Sequence, residues 1–355
     1  MYTFSKTAPT DALWDIIEAS PDSTVFVSRQ WQLFLNKQRQ RTLIVQIKGS
    51  EEDLIGYFVG SRKWYGIHIA GAPLGGTATY LGGLCATHSM PPEERVAVYK
   101  QLAEWCFKRH LASYLQITDW QLRDEYQQYI PIEIWRNPLL DNEKIHHTLR
   151  ATYLLDTSVT EEEMWRRTSY SSFRYCVNKA RKEELKVHLI TRREEIPAFI
   201  ETLHRQITNV SQRKGVAPHL HQKPERLKAL CECLFPDRVL MIQVLGNDKN
   251  GQQQIMSSAI FCVDKEVSTY LSGASFQQYM KYCPNEIMVW EGLRELHRRG
   301  SHYLILGDTA TYKAKFGPTY AYLPMMIFSR TKLLLNARKE IKLLYWRLRN
   351  LKTKR

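Results

Sequence analysis

The sequence predicts an α+β protein: two units in tandem, each on a mostly antiparallel sheet, followed by a basic amphipathic helix. Three observations carry that prediction. The first is length, since 355 residues correspond to two domains at about 150 residues each. The second is an internal repeat of strand, helix and strand. The third is the spacing of apolar residues near the C-terminus. A content of 44% hydrophobic and 24% charged residues is that of a globular chain with a core, not a disordered or collagen-like one. No apolar run reaches the roughly 18 residues of a membrane span. The opening Met1-Tyr2-Thr3-Phe4-Ser5-Lys6 lacks the basic-then-apolar order of a secretion signal, so a cytoplasmic setting is expected. Seven cysteines, an odd number, are expected to be free thiols there.

Each half contains the same series of signals. Tyr80-Leu81-Gly82-Gly83 precedes a helical stretch from Pro92 to about Arg109 and then Tyr114-Leu115-Gln116-Ile117-Thr118-Asp119. Tyr270-Leu271-Ser272-Gly273 precedes a helical stretch from Asn285 to Arg299 and then Tyr303-Leu304-Ile305-Leu306-Gly307-Asp308. The paired tyrosines are offset by 190 and 189 residues, so a single gap aligns the segments, and duplication of one unit is expected. Upstream of each lie two short apolar runs around a polar break. The runs are Leu43–Lys48 and Leu54–Val59 in the first half, and Val239–Leu245 and Ile255–Val263 in the second. Both pairs read as hairpins. In the second helix Asn285 is placed to cap the start, Arg298 and Arg299 suit the negative end of the dipole, and Gly300 suits a left-handed terminus. Tyr153-Leu154-Leu155 is expected as a strand and Glu161-Glu162-Glu163 as the acidic first turn of a helix. The expected units are 1–155, 156–330 and the terminal helix 331–355.

Fifty basic against 36 acidic residues give a net charge of +14. The excess is concentrated: residues 330–355 carry +9 and residues 164–193 carry +7, so the remainder is nearly neutral. A basic patch suits phosphate-bearing partners. In the terminal stretch Leu334, Ala337, Ile341, Leu344, Leu348 and Leu351 recur at intervals of three and four, forming one stripe of a helix. Its basic remainder suits an anionic membrane surface; packing on its own domain is the plain alternative.

Candidate chemistry centres on the end of the last repeat strand. Lys313 lies just beyond it, where open sheets bind ligands, and can neutralise phosphate or a developing negative charge; an exposed loop lysine is the alternative. Lys315 shares the site. Asp308 can act as general base or cap the turn Thr309-Ala310-Thr311. Asp119, its repeat partner, is expected to be structural. Arg174, Lys179 and Lys182 are placed on one helix with Arg166 and Arg167, and Arg213 opens a later turn. All are suited to phosphate groups, or to an ordinary charged face. Tyr170, Tyr175 and Tyr270 can meet a substrate or fill the interior. His219-x-His221 and Cys231-x-Cys233 do not have zinc-ligand spacing, so no metal is expected, and His219 and His221 can instead line a substrate site. No Gly-x-Ser-x-Gly elbow occurs, so no covalent serine intermediate is expected.

Three segments together resemble a known family. They are Phe173-Arg174-Tyr175-Cys176-Val177-Asn178-Lys179-Ala180-Arg181-Lys182, Arg213-Lys214-Gly215-Val216, and Gly307-Asp308 with Tyr312-Lys313-Ala314-Lys315-Phe316-Gly317. Their order resembles the Fem-type (FemAB-like) aminoacyl transferases of peptidoglycan synthesis. It also resembles the related acetyltransferases of cellulose and exopolysaccharide gene clusters (CelD-like). That resemblance implies tandem GNAT-like units and a transferase with its cleft in or beside the second unit. It implies N- or O-acyl transfer to a sugar, glycolipid or cell-envelope precursor at the inner membrane face. The donor would be acyl-CoA or acetyl-CoA, with aminoacyl-tRNA as the Fem-type alternative. The sequence departs from the family at the glycine-rich turn that holds the pyrophosphate of CoA at a helix N-terminus. Its place reads Phe276-Gln277-Gln278-Tyr279-Met280-Lys281-Tyr282-Cys283-Pro284. A non-enzymatic nucleic-acid- or membrane-binding protein is the rival suggested by charge alone, but zinc-finger, RNA-recognition and zipper motifs are absent.

Overall fold

A computed structural model describes residues 2–69, 72–123, 145–216 and 218–331, with 333, 336, 340 and 344. It divides into two compact units. The first consists of residues up to Ala151 together with the described residues from Ala321, and the second is built on Thr152–Tyr320.

The first unit begins with β1 (Thr3–Thr7), α1 (Asp11–Ala19) and α2 (Arg29–Lys37). Ser28 starts α2 by accepting the Trp31 N–H at 3.3 Å, which satisfies one orphan donor of the first turn. Then come β2 (Arg41–Lys48), β3 (Leu54–Ile69), β4 (Ala72–Ala78) and β5 (Leu84–Ala86). The β2–β3 pair is antiparallel. Its turn is closed by the Gly49 N–H donating to the Asp53 carbonyl at 2.9 Å, as the polar break anticipates. Next are α3 (Pro92–Lys108) and β6 (Tyr114–Thr118), the latter parallel to β4. Leu43, Val45 and Ile47 on one face of β2 pack with Tyr99 and Leu102 of α3, as period-2 and period-3.6 patterns require.

The second unit takes β7 (Ile145–Asp156) from Thr152 onward, then α4 (Glu161–Arg167), a π-helical turn Tyr170–Arg174, and α5 (Tyr175–Lys182). The single basic helix expected over Arg166–Lys182 is therefore interrupted. Thr168 is the cause at the break: its hydroxyl donates to the Trp165 carbonyl at 2.7 Å, offering the backbone a local alternative to the helix. The chain continues through β8 (Lys186–Leu189), α6 (Ile196–Arg213), α7 (Pro224–Leu234), β9 (Val239–Asn247), β10 (Gln253–Cys262) and β11 (Val267–Ser275). The β9–β10 turn is an Asp-centred one, with Asp248 Oδ1 accepting the N–H groups of Asn250 and Gln252. After α8 (Pro284–Arg298) comes β12 (Tyr303–Ile305), parallel to β11 and antiparallel to β7.

Helix α8 corrects one expectation. It starts at Pro284, and Cys283 in left-handed conformation precedes it, so Asn285 is inside the helix and not its cap. Asn285 accepts the Ser275 hydroxyl instead. The other end is as expected, with Gly300 at φ 74°. The last strand, β13 (Thr319–Ser329), pairs from Met325 to Ser329 with β6 of the first unit. Residues from Ala321 therefore belong to the N-terminal unit, and the second unit starts at Thr152. The boundaries at 155 and 330 differ because β-pairing partners, not chain order, define a sheet. Among the described residues the strand order is β1-β2-β3-β4-β6-β13 in the first unit and β7-β12-β11-β10-β9-β8 in the second. Each has one parallel pair in an otherwise antiparallel sheet. The terminal helix falls largely outside the described residues; Leu333, Asn336, Glu340 and Leu344 are helical there, with Leu344 exposed.

Candidate functional site

The second unit places Lys313 where its parallel strands cease to pair. The β11–β12 register runs from Val267↔Tyr303 to Thr269↔Ile305. There β12 ends, while β11 continues to Ser275. The carboxyl ends of parallel strands are where open sheets bind ligands. Lys313, on the 3-10 turn Thr311–Phe316, has its Nζ on the Leu306 carbonyl at 2.7 Å and on the Asp308 carboxylate. It is 6% exposed, so the exposed-loop alternative does not hold. Its ammonium also lies 5.9 Å from the ring centre of Tyr270 and 5.7 Å from that of Tyr312, within cation–π range.

The sequence Lys-x-x-Phe-Gly is what fixes this turn. Phe316 is buried against Phe173, ring centres 5.1 Å apart, and burying such a ring contributes about 1.5–3 kcal/mol. Gly317 sits at φ 76°, and a Cβ there would lie 2.2 Å from the Arg167 carbonyl. No other residue type meets both demands. The Ser169 N–H donates to the Lys315 carbonyl at 2.9 Å, tying the π turn to the lysine turn. Lys315 Nζ pairs with Glu286 in the first turn of α8.

The electrostatics bear on the role of the acid proposed from sequence, Asp308. Burial raises the Asp308 carboxyl, but the Lys313 ammonium and the Ala310 N–H outweigh it, so the net shift is below the usual carboxylate range. Its side chain is 69% exposed. A carboxylate that releases its proton so readily is a weak base near pH 7. Tyr270 is raised by burial and stays a neutral donor. The Tyr270 hydroxyl sits against Gly273, where a Cβ would come within 1.9 Å.

Arg174 closes the π turn with its guanidinium 5.0 Å above the Tyr170 ring. Its Nε is buried without a hydrogen-bond partner, a donor that calls for an acceptor. Tyr170, Tyr175 and Tyr312 are 77%, 62% and 60% exposed, far more than interior tyrosines. Lys179 on α5 acts on the Cys283 thiol, which burial and a hydrogen bond with Cys176 push up to about 12. The ligand atoms of Cys176, Cys283 and Glu286 lie within 4.8 Å of one another; Glu286 is already engaged by Lys315. Neither His219-x-His221 nor Cys231-x-Cys233 belongs to this group.

Two expected site residues lie on elements other than the lysine turn. Arg213 ends α6, a helix packed through Phe199, Ile200, Leu203 and Ile207, none of which is in the core around α8; its guanidinium donates to Met280 Sδ at 3.5 Å. His219 opens an exposed turn and stacks on His221 at 5.2 Å. Lys182 ends α5, exposed. The partnership of Lys315 with Glu286 was not legible in sequence, since 29 residues separate them.

The start of α8 does not fit a CoA diphosphate. Pro284 at its first position has no N–H, and Glu286 occupies the first turn. In the first unit α3 likewise opens on Pro92, Glu93 and Glu94. The positive end of each dipole is thus occupied by the chain's own carboxylates.

No protein-family model matches the chain, and no curated protein matches it. Solved structures do. FemX is 12% identical, with 94% of this chain covering 99% of that one at a TM-score of 0.71. The C-terminal domain of a putative lysylphosphatidylglycerol synthetase from Agrobacterium fabrum is 11% identical, with 92% of this chain covering 96% of that one, at 0.51. A tandem GNAT protein from the clavulanic acid biosynthesis pathway aligns over 92% of this chain and 98% of its own at 10% identity and a TM-score of 0.48. The Fem-type tandem α+β fold that the three motifs suggest is the fold observed.

Proposed function

We propose that this chain is an acyl or aminoacyl transferase that modifies a phosphate-bearing cell-envelope or exopolysaccharide precursor by direct attack. The carrying observation is Lys313: a buried ammonium at the open end of a parallel strand pair, with two of its three donors held by Leu306 and Asp308. The remaining donor is available, among the described residues, to a substrate oxygen. In the reaction an acceptor amine or hydroxyl attacks the donor carbonyl carbon. The new C–N or C–O bond forms, charge passes to the carbonyl oxygen, and Lys313 donates a hydrogen bond to it. Collapse breaks the bond to the donor's leaving group, which takes the proton released by the acceptor. Asp308 positions Lys313 in this reading, because its depressed proton affinity suits an anchor better than a base. Arg174, with its unmet Nε, and Lys179 supply cations for acceptor phosphate, and Tyr170, Tyr175 and Tyr312 offer faces for a sugar ring. Arg213 and His219 belong to an outer part of the acceptor path, and Tyr270 lines the lysine.

An aminoacyl ester is the preferred donor, because carboxylates stand where a CoA diphosphate would bind. The likeness of fold to FemX, named at a TM-score of 0.71, supports that choice. The acyl-CoA reading keeps the same Lys313 chemistry with the diphosphate bound elsewhere. The test is the melting temperature with acetyl-CoA, longer acyl-CoA and charged tRNA, since a ligand of the native state raises it by mass action. Transfer assays on wild type and Lys313→Ala follow with the donor that binds. Undiminished transfer by Lys313→Ala sinks the proposal. So does salt-sensitive nucleic-acid binding without turnover on any donor. Work at the inner membrane face, with 331–355 on anionic lipid, is part of the same reading; no helix among the described residues is long and apolar enough to cross a membrane.

A further inference from the structure

Two thiols and a carboxylate meet where α5 packs on the start of α8, and the transfer chemistry does not use them as ligands. The ligand atoms of Cys176, Cys283 and Glu286 all lie within 4.8 Å of one another. The two thiols are also hydrogen-bonded to each other. Two of the three groups come together locally. Cys283 is the residue just before α8, and Glu286 is the third residue inside it, a spacing at which the cap and the first turn face one another. Cys176 comes from α5, whose Val177 and Ala180 share one core with Ile287 and Val289 of α8.

Three features set this cluster apart from thiols that merely fill a core. Cys283 stands at φ 60°, a left-handed position that glycine or asparagine fills at less cost, and its thiol makes no capping bond to the helix. The thiol is therefore held there against a backbone preference, as side chains of ligand clamps often are. Glu286 spends Oε1 on Lys315 and keeps a second oxygen; carboxylates that bind metals are ordinarily oriented by such an outer partner. The charges also balance. Two thiolates and a carboxylate around a dication leave one net negative charge, and Lys179 and Lys315 act on Cys283 and Glu286. Cys176 is only half-buried, which gives an ion a way in.

The ligand set decides the ion. A thiolate pair favours zinc over magnesium or calcium, which take oxygen ligands. Zinc binds thiolate at about 2.3 Å and carboxylate at about 2.0–2.2 Å, so ligand atoms of a zinc tetrahedron are roughly 3.4–3.8 Å apart. A modest contraction of this cluster reaches that size. We propose that Cys176, Cys283 and Glu286 bind one zinc ion, with the fourth position open to solvent. Binding turns two neutral thiols into thiolates and releases two protons to solvent. The ion would clamp α5 to the start of α8. This site is separate from the Lys313 centre, and zinc binding does not depend on the transferase reading.

The test is titration of the full chain, kept reduced with a phosphine, with zinc in competition with a chromophoric chelator. Cobalt(II) serves beside it as a spectroscopic probe. Wild type is expected to bind a single zinc, with a rise in melting temperature. With cobalt it should show thiolate-to-metal charge transfer and the visible bands of a tetrahedral ion. Cys176→Ser and Cys283→Ser should each weaken zinc binding at least about tenfold, since even outer partners of a metal site are worth that much, and should lose charge-transfer intensity. Glu286→Gln should weaken binding but keep the charge-transfer bands at saturating cobalt. The melting temperature of Cys176→Ser without metal should match that of metal-free wild type, which shows that it folds. Cys233→Ser, at a half-buried thiol outside the cluster, and Lys313→Ala should bind zinc as wild type does, so failure of this site and failure of the transferase reading are separable. Zinc binding unchanged in Cys176→Ser, a cobalt spectrum without thiolate bands, or no zinc retained against the chelator overturns the proposal.

Discussion

The two units treat the end of their parallel strand pair in opposite ways. In the first, the chain beyond β4 stays bonded to β6: Thr79 donates to Gln116 and Gly82 to Thr118, each at 2.9 Å. The acid at the strand end, Asp119, is 2% exposed and accepts from Arg95 at 3.1 Å and from Tyr99 at 2.5 Å. Arg95 itself is 2% exposed, pairs also with Asp22, and donates to the Leu84 carbonyl. In the second unit the acid at the strand end, Asp308, is largely exposed and its cation, Lys313, comes from the turn beyond the strand. The same strand–helix–strand order thus yields a sealed charge network in one unit and an open one in the other. A buried network that pairs one cation with two carboxylates serves structure. An open one with a donor to spare can serve a substrate.

The contrast can be broken from either side. The largest effect is expected from Arg95→Ala, which strands Asp119 and Asp22 without their cation. Removing one partner of a buried pair costs about 3–5 kcal/mol, and urea unfolding should show it. A loss under about 1 kcal/mol would mean that the first network is not sealed. Lys313→Ala should do the reverse, lowering kcat about a hundredfold or more, as loss of an oxyanion donor does, with a much smaller change in the urea midpoint. If it proves as destabilising as Arg95→Ala, the second network is structural too.

Gly317→Ala tests whether the closing turn sets the lysine. The left-handed φ and the contact with the Arg167 carbonyl predict a loss of about 1–3 kcal/mol, together with reduced turnover. Turnover unaffected by a clear loss of stability would separate the turn from the site. The smallest effect concerns pH. Asp308 holds its proton less tightly folded than unfolded. Its contribution is therefore complete above the ordinary carboxylate pKa near 3.8 and is lost as pH falls through the lower folded value. Asp308→Asn should flatten the acid limb of a stability–pH curve slightly, the carboxylate being mostly exposed; an unchanged limb argues against the pairing.

Much of this architecture was legible in local patterns. The Gly49–Asp53 and Asp248–Gly251 turns, the acidic start of α4 and the left-handed Gly300 all depend on neighbours within a few residues. So does the Lys-x-x-Phe-Gly element, which singled out Lys313. Local pattern failed where partners are distant. The break after Arg167 depends on a hydroxyl competing for a carbonyl, and charge count alone reads through it. The start of α8 depends on Cys283 turning left-handed, which moved Asn285 inside. Nothing local marks Arg95, because its partner Asp22 lies 73 residues away.

The sequence by itself determined the class of fold and many of its local elements, since periodicity and turn chemistry act over a few residues. Tertiary structure alone decided two further matters: that β13 completes the first unit's sheet, and that one strand-end acid is sealed while the other is open. Each depends on hydrogen-bond or charge partners brought together from distant parts of the chain, and sheet register, which no local pattern encodes, is what selects those partners.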